Sequence, residues 1–442
     1  MQKLSVQSFQ VGMSYFLTPQ VYKQGHQVWQ PGYEPPRWSL QALVWTLLAM
    51  AFCTGDSQEE RFVTARAAYV AGHQKLRRPG ATLIGFAMAL VKLPLVVFRA
   101  LASGVRQQLD RQFVASLRIN GWLPVACDGT RLECPRSEQL QRRLGQAGKP
   151  ESAPMVYLTA LVLLPLGVPW AWRWGKGTAS EHDHLRQLLP TLPERTLLVG
   201  DAFYAGYHLF RDIVRAQASF LIRMSSRLCL YTIEERPLER FREGVFYYWP
   251  EKERDKGRPP LKVRLLRVPG HKADVWLLTN ILDRQQLSHK NAAQIYRWRW
   301  KHEGLFRTYK RMLGKVKLHS RTVAMVHREA EGSLLALQLL LALAAKAVQQ
   351  GQQRLLILDS PRRILLGLRG EIAALLRSLG PRQFGAYRRW LQEVRSQEWH
   401  RTCGKVRQQW PHKKAYKPPK PPKIRVMLPA LKAKMIKILK AA

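Results

Sequence analysis

This chain has little acid for its length. Its 442 residues carry 30 Asp and Glu against 72 Lys and Arg, a net charge of +42. A field of that sign favours a polyanionic partner, nucleic acid first and a membrane surface second. Cysteine is scarce too. Cys53, Cys127, Cys134, Cys229 and Cys403 are scattered and form no C-x-x-C pair. That excludes a disulfide framework and a zinc knuckle, and it fits a reducing cytosol. Long apolar runs are missing. The longest, residues 333–345, is too short to span a bilayer and contains Gln338. MQKLSVQSFQVG at the start lacks the apolar core of a signal peptide. A cytoplasmic, nucleoid-associated protein without a membrane partner is therefore expected. With 46% hydrophobic residues the chain is globular rather than a basic disordered tail throughout.

The length allows two or three domains, and the texture divides it further. Residues 1–120 read as a helical N-terminal domain, either a DNA-end-binding module or a helical domain with a solvated basic face. Ser39 caps a helix LQALVWTLLAMAF, and Thr82 caps LIGFAMALVKL. Arg61, Arg66, Lys75, Arg77 and Arg78 cluster at the joint between them. Residues 121–226 read as the first part of an α/β core. LPVACDGTRL is a short buried strand, MVYLTALVLLPLGVPWAWRWG a hairpin alternating at Trp170, Trp172 and Trp174, and TLLVGDAFY a further strand. Residues 227–281 are β-rich, with VFYYWP, KVRLLRV and DVWLLTN as antiparallel strands. Residues 282–398 return to helix and complete the core. SLLALQLLLALAAKAV, apolar nearly all round, is its central helix. Residues 399–442 form a basic Pro/Lys-rich tail: PHKKAYKPPKPPK reads as an extended linker and LPALKAKMIKILKAA as a short amphipathic helix.

Of ten aspartates, Asp128 and Asp201 each close an apolar, strand-like run. A carboxylate there is costly to bury without a cation or hydrogen-bond donors. On neighbouring strands, about 4.8 Å apart, the two could bind one hard cation. Asp359 also follows an apolar run, but Ser360 and Pro361 make it a turn or helix start. His182 and His184 flank Asp183. Residues two apart on a helix diverge, so a shared metal is not expected.

A third acid sits in a cationic helix. In YRWRWKHEGLFRTYK, Tyr296, Arg299, Glu303 and Lys310 fall on one face at about 3.6 residues per turn. In order and context, Asp128 (CDGT), Asp201 (GDAFY) and Glu303 resemble the Asp-Asp-Glu transposases of bacterial insertion sequences. More narrowly, the chain resembles the group of insertion sequence four, whose signature is the same Tyr-Arg-Glu-Lys ladder. LLTNILD looks like that family's lead-in strand. The likeness covers about residues 120–345. One departure is Ala202-Phe203 after the second Asp, where family members often carry a basic residue and Gly.

The resemblance implies a ribonuclease-H-like fold: a mixed five-stranded sheet with flanking helices, interrupted by a β-strand insertion within the 102 residues between Asp201 and Glu303. It implies that Asp128, Asp201 and Glu303 hold two Mg2+ ions, Mn2+ substituting. Arg299 and Lys310 would grip DNA phosphates, Tyr296 would contact a phosphate or stack on an unpaired base, and Trp298 and Trp300 are candidates either for stacking or for core packing. The partners implied are double-stranded DNA, as terminal inverted repeats and target, and a second copy in a synaptic dimer. The reaction implied is strand cleavage and strand transfer, through a hairpin with a flipped base. Two alternatives stay open: an inactive transposase-derived DNA-binding protein, and a ribonuclease-H-like nuclease without strand transfer.

Overall fold

The computed structural model describes residues 13–29, 37–145, 152–234, 243–270, 273–315, 317–350, 361–399 and 422–441. Helices come first: α1 (Pro19–Gln27), α2 (Leu40–Phe52), α3 (Gln58–Gly72), α4 (Leu83–Lys92) and α5 (Leu95–Phe113). The expected caps are in place. The Ser39 hydroxyl accepts from the Ala42 N–H at 3.2 Å, and the Thr82 hydroxyl from the Gly85 N–H at 3.2 Å. α2 is buried at every position except Gln41. No single helix among the described residues is long and apolar enough to cross a membrane.

Ten strands follow in one sheet: β1 (Leu123–Glu133), β2 (Met155–Leu163), β3 (Val168–Lys176), β4 (Thr196–Gly200), β5 (Ser219–Arg223), β6 (Cys229–Thr232), β7 (Gly244–Tyr248), β8 (Leu261–Val268), β9 (Val275–Thr279) and β10 (Lys423–Val426). Their order across the sheet is β3-β2-β1-β4-β5-β9-β8-β7-β6-β10. β1 is antiparallel to β2 and parallel to β4, and β4 is parallel to β5. β1 to β4 coincide with the runs LPVACDGTRL, MVYLTALVLLPLGVPWAWRWG and TLLVGDAFY. The insertion does not fold aside from them. β9 pairs antiparallel with β5, Leu221 facing Thr279, and β8, β7 and β6 continue from it. The five-stranded expectation is thus too small. An open β5 edge would leave a row of unpaired backbone groups, and β9 satisfies them.

The chain's last described part joins the same sheet. β10 runs parallel to β6, and α14 (Pro429–Ala441) follows it. Met427 and Met435 bury against Trp249 of the insertion. The proline-rich linker expected at 411–423 lies outside the described residues up to its last two. Asp359 also lies outside them.

Helices cover both faces of the sheet. Between the strands run α6 (Glu138–Leu144), α7 (Glu181–Leu188), α8 (Tyr207–Arg215) and α9 (Glu251–Asp255). After them come α10 (His289–Arg307), α11 (Val323–Gln350), α12 (Pro361–Arg377) and α13 (Pro381–Trp399). Side chains of β1 and β4 alternate between two cores. Ala126, Leu197 and Val199 pack with Ile295 and Tyr296 of α10. Val125, Cys127 and Leu198 belong to the main core, as do α2 and the centre of α11. α2 and α11 approach closely. A Cβ on Gly332 would lie 2.3 Å from a methyl of Leu47, so only glycine fits there.

Candidate active site

β1 and β4 bring the two singled-out aspartates side by side. Their parallel register pairs Ala126 with Val199. Continued two residues, it sets Asp128 beside Asp201, just past the C-terminal end of β4. Alternation turns both carboxylates to the face of Ala126 and Val199, the face that α10 covers. Asp128 Oδ1 accepts from the Gly129 N–H at 2.9 Å, and Asp201 Oδ1 from the Phe203 N–H at 2.8 Å. Burial pushes the Asp128 carboxyl up to about 6, against the pull of the Gly129 N–H. The charges of Glu181 and Asp201 push the same way, and Arg299 opposes them. Two crowded carboxylates with so few donors are set up to accept a cation.

α10 supplies the rest of the predicted set. Ser288 caps it, accepting from the Asn291 N–H at 3.2 Å. Tyr296 is buried in the second core. Arg299 lies over the Tyr296 and Trp300 rings, 5.7 and 5.1 Å from their centroids. Its Nη2 reaches Glu303 Oε1 at 3.5 Å. Trp298 packs against the second core, whereas Trp300 is 63% exposed. The ladder does not run straight to its end. Thr308–Met312 is a π-helix, and Lys310 stands inside it. Each π turn holds an extra residue, so ideal α spacing does not carry the face from Glu303 to Lys310.

The structure brings two of the three expected ligands together. Asp128 and Asp201 are hard oxygen donors in register, as a divalent cation requires. Glu303 is one turn past Arg299 and bonded to it. Among the described residues, no three His, Cys, Asp or Glu side chains are close enough to share a metal ion. Oxygen donors of this kind suit a divalent cation, and Glu303 is engaged with Arg299 instead.

A fourth acid escaped the sequence reading. Glu181 opens α7, where the Ser180 hydroxyl accepts from the Asp183 N–H at 3.2 Å. Its two carboxylate oxygens accept from the hydroxyls of Tyr157 on β2 and Tyr204 just after Asp201. Next along α7, His182 Nε2 stands 3.0 Å from the Phe203 carbonyl, while Asp183 bonds Arg186 at 2.7 Å. His184 Nδ1 instead meets Thr159 Oγ1 at 3.0 Å. The two histidines diverge, as their spacing predicted. The one trace of Glu181 in the sequence was Gly129. A Cβ there would fall 2.5 Å from the Tyr157 hydroxyl and 2.7 Å from Glu181 Oε1.

The basic residues at the helical joint are not all available to a polyanion. Arg66 donates to the carbonyls of Gly80 and Pro79 at 2.7 and 3.0 Å, and Arg61 to that of Gly55 at 2.6 Å. Arg77 and Arg78 do line a polar cleft of about 330 Å3, with His73 and Gln383.

Residues 123–339 match the family described as transposase DDE domain. No curated protein matches the chain. Among solved structures the chain is similar to a cryo-EM structure of a piggyBac transposase synaptic complex with hairpin DNA. Identity is 10%, TM-score 0.46, with 89% of this chain and 85% of that chain covered.

Proposed function

We propose that the chain is an insertion-sequence transposase of the insertion sequence four group, cutting transposon ends and joining them to target DNA. The observation that carries the reading is the in-register pair Asp128 and Asp201 beneath Arg299 of α10, inside the segment that matches the DDE domain. Asp128 and Asp201, joined by Glu303, would hold Mg2+, which when bound supplies Lewis-acid activation of water or a 3′-hydroxyl and stabilisation of the leaving oxygen. The chain's own residues do the rest. Arg299, stiffened between two rings, presents a guanidinium to the phosphate whose negative charge grows during transfer. As DNA phosphate takes Arg299, Glu303 is released toward the aspartates. Lys310 grips the backbone further along. Trp300, exposed beside Arg299, is placed to stack on an unpaired base. Two ends must be joined in one event, so a homodimer on two inverted repeats is the working assembly, and a hairpin is the intermediate.

The test is a cleavage and joining assay with purified protein, Mg2+, a target plasmid and DNA ends carrying the inverted repeats that flank the coding region. Asp128→Asn, Asp201→Asn and Glu303→Gln should each abolish nicking and leave DNA binding in place. Nicking by either aspartate variant at the parent rate overturns the assignment. Nicking without joined product would make the protein a nuclease, and binding without nicking a DNA-binding protein only.

A further inference from the structure

We infer that Glu181 is a positioning residue for the Asp128–Asp201 pair. It ties the two aspartate segments together from behind the sheet and adds its charge to the field that draws a cation. The inference rests on the metal-site reading above and deepens it. Three observations carry it. First, Glu181 is held at both oxygens by phenols that belong to the two sides of the site. Tyr157 lies on β2, the antiparallel neighbour of β1, and Tyr204 lies three residues beyond Asp201. Second, the same helix start grips the Asp201 turn again, through His182 and the Phe203 carbonyl at 3.0 Å. Tyr204 also accepts from Cys127 Sγ at 3.2 Å, so its ring is fixed to the residue before Asp128. Third, Gly129 leaves room for this arrangement. Strand alternation points its absent Cβ opposite to Asp128, and Glu181 Oε1 stands 2.7 Å from where that Cβ would be. The carboxylate therefore backs directly onto the strand at the position following Asp128.

Glu181 and the two aspartates are not close enough to share one ion. Its part is to orient and to add charge. Tyr204 cannot shift without breaking a bond to Glu181, and Asp201 caps the 3₁₀ turn that Tyr204 ends. Partners of this kind, one layer behind the ligands, are worth about 10- to 100-fold in metal affinity.

The experiment is calorimetric titration of the full chain with Mn2+ alone, beside a thermal melt of each variant. Glu181→Gln keeps size and an acceptor while removing the charge. It should bind Mn2+ about 10-fold or more weakly, with a melting temperature near the parent's. Tyr204→Phe keeps the charge and cuts one tether, and should weaken Mn2+ by a smaller factor. If Glu181→Gln does not fold, Tyr204→Phe decides. Parent-like Mn2+ affinity in the folded variants, while Asp128→Asn abolishes binding, overturns the role of Glu181 and leaves the metal site standing. Parent-like affinity in Asp128→Asn and Asp201→Asn overturns the metal site itself.

Discussion

The surroundings of Glu329 and of Asp128 are built in opposite ways. Glu329 on α11 is fully enclosed yet surrounded by donors. Lys315 Nζ reaches it at 2.6 Å, the backbone N–H groups of His319 and Ser320 at 3.0 and 2.9 Å, and Gln58 Nε2 at 3.3 Å. Burial pushes its carboxyl up, but Lys315, His319 and the Ser320 N–H more than offset that and hold it at about 2. Asp128 is half-buried, accepts from one N–H and lies in the field of Asp201 on its own face and Glu181 behind the sheet, and its carboxyl goes up instead. The first setting is finished: it joins α3 to α11 and wants nothing more. The second is left short of positive charge, which is what the proposed metal site calls for.

Removing each acid should give opposite signs. The largest effect is expected from Asp128→Asn, which should lower cleavage by on the order of 10³-fold or more, several kcal/mol of lost transition-state stabilisation. The same change relieves repulsion with Asp201 and Glu181. It should therefore raise the melting temperature in metal-free buffer at neutral pH, and a fall there would mean Asp128 is structural. Glu329→Gln should behave as the mirror image. It strands Lys315 in the core and should cost about 3–5 kcal/mol in denaturant unfolding. An unfolding midpoint equal to the parent's would show the pair to be inert.

Glu331 sharpens the comparison, because it lies between the two cases. It accepts from Trp172 Nε1 at 2.6 Å, with Arg99 and Arg173 near. Burial nevertheless pushes it from 4.5 up to about 7. A raised folded value means that ionisation costs stability above pH 7, a cost relieved as pH falls toward 4.5. Glu331→Gln should then stabilise the chain by roughly 1–3 kcal/mol at pH 8 and by little at pH 5. Equal shifts in melting temperature at the two pH values would contradict that. The smallest effect concerns neither acid. Ser39→Ala removes one cap bond from α2 and should cost about 1 kcal/mol, with cleavage unchanged.

Local signals read correctly wherever the deciding neighbours lay within a few residues. Ser39 and Thr82 cap helices because a hydroxyl and an N–H three residues on need nothing else. β1, β4 and β9 were legible as apolar runs, and α2 and α11 as helices apolar all round. Pairing was another matter. Nothing in DVWLLTN says that its neighbour will be β5, or that KIRV near the end will pair with β6. Those partners are far off in sequence, and any exposed strand edge would have satisfied the same backbone groups. The site divides along the same line. Asp128 and Asp201 announced themselves as acids ending buried strands. Glu181 did not, because on a helix start beside Ser180 it looks like an ordinary first-turn acid.

The sequence by itself determined the cationic field, the helix starts, the strand runs and the two acids that break them, since composition, capping and period are local properties. Only the tertiary structure decided that Asp128 and Asp201 stand in register, that Glu303 is drawn to Arg299, that a π turn rotates Lys310, and that Glu181 backs the pair through two phenols. Each of those depends on distances of a few ångströms between segments tens of residues apart, which strand pairing and helix packing set and no local pattern encodes.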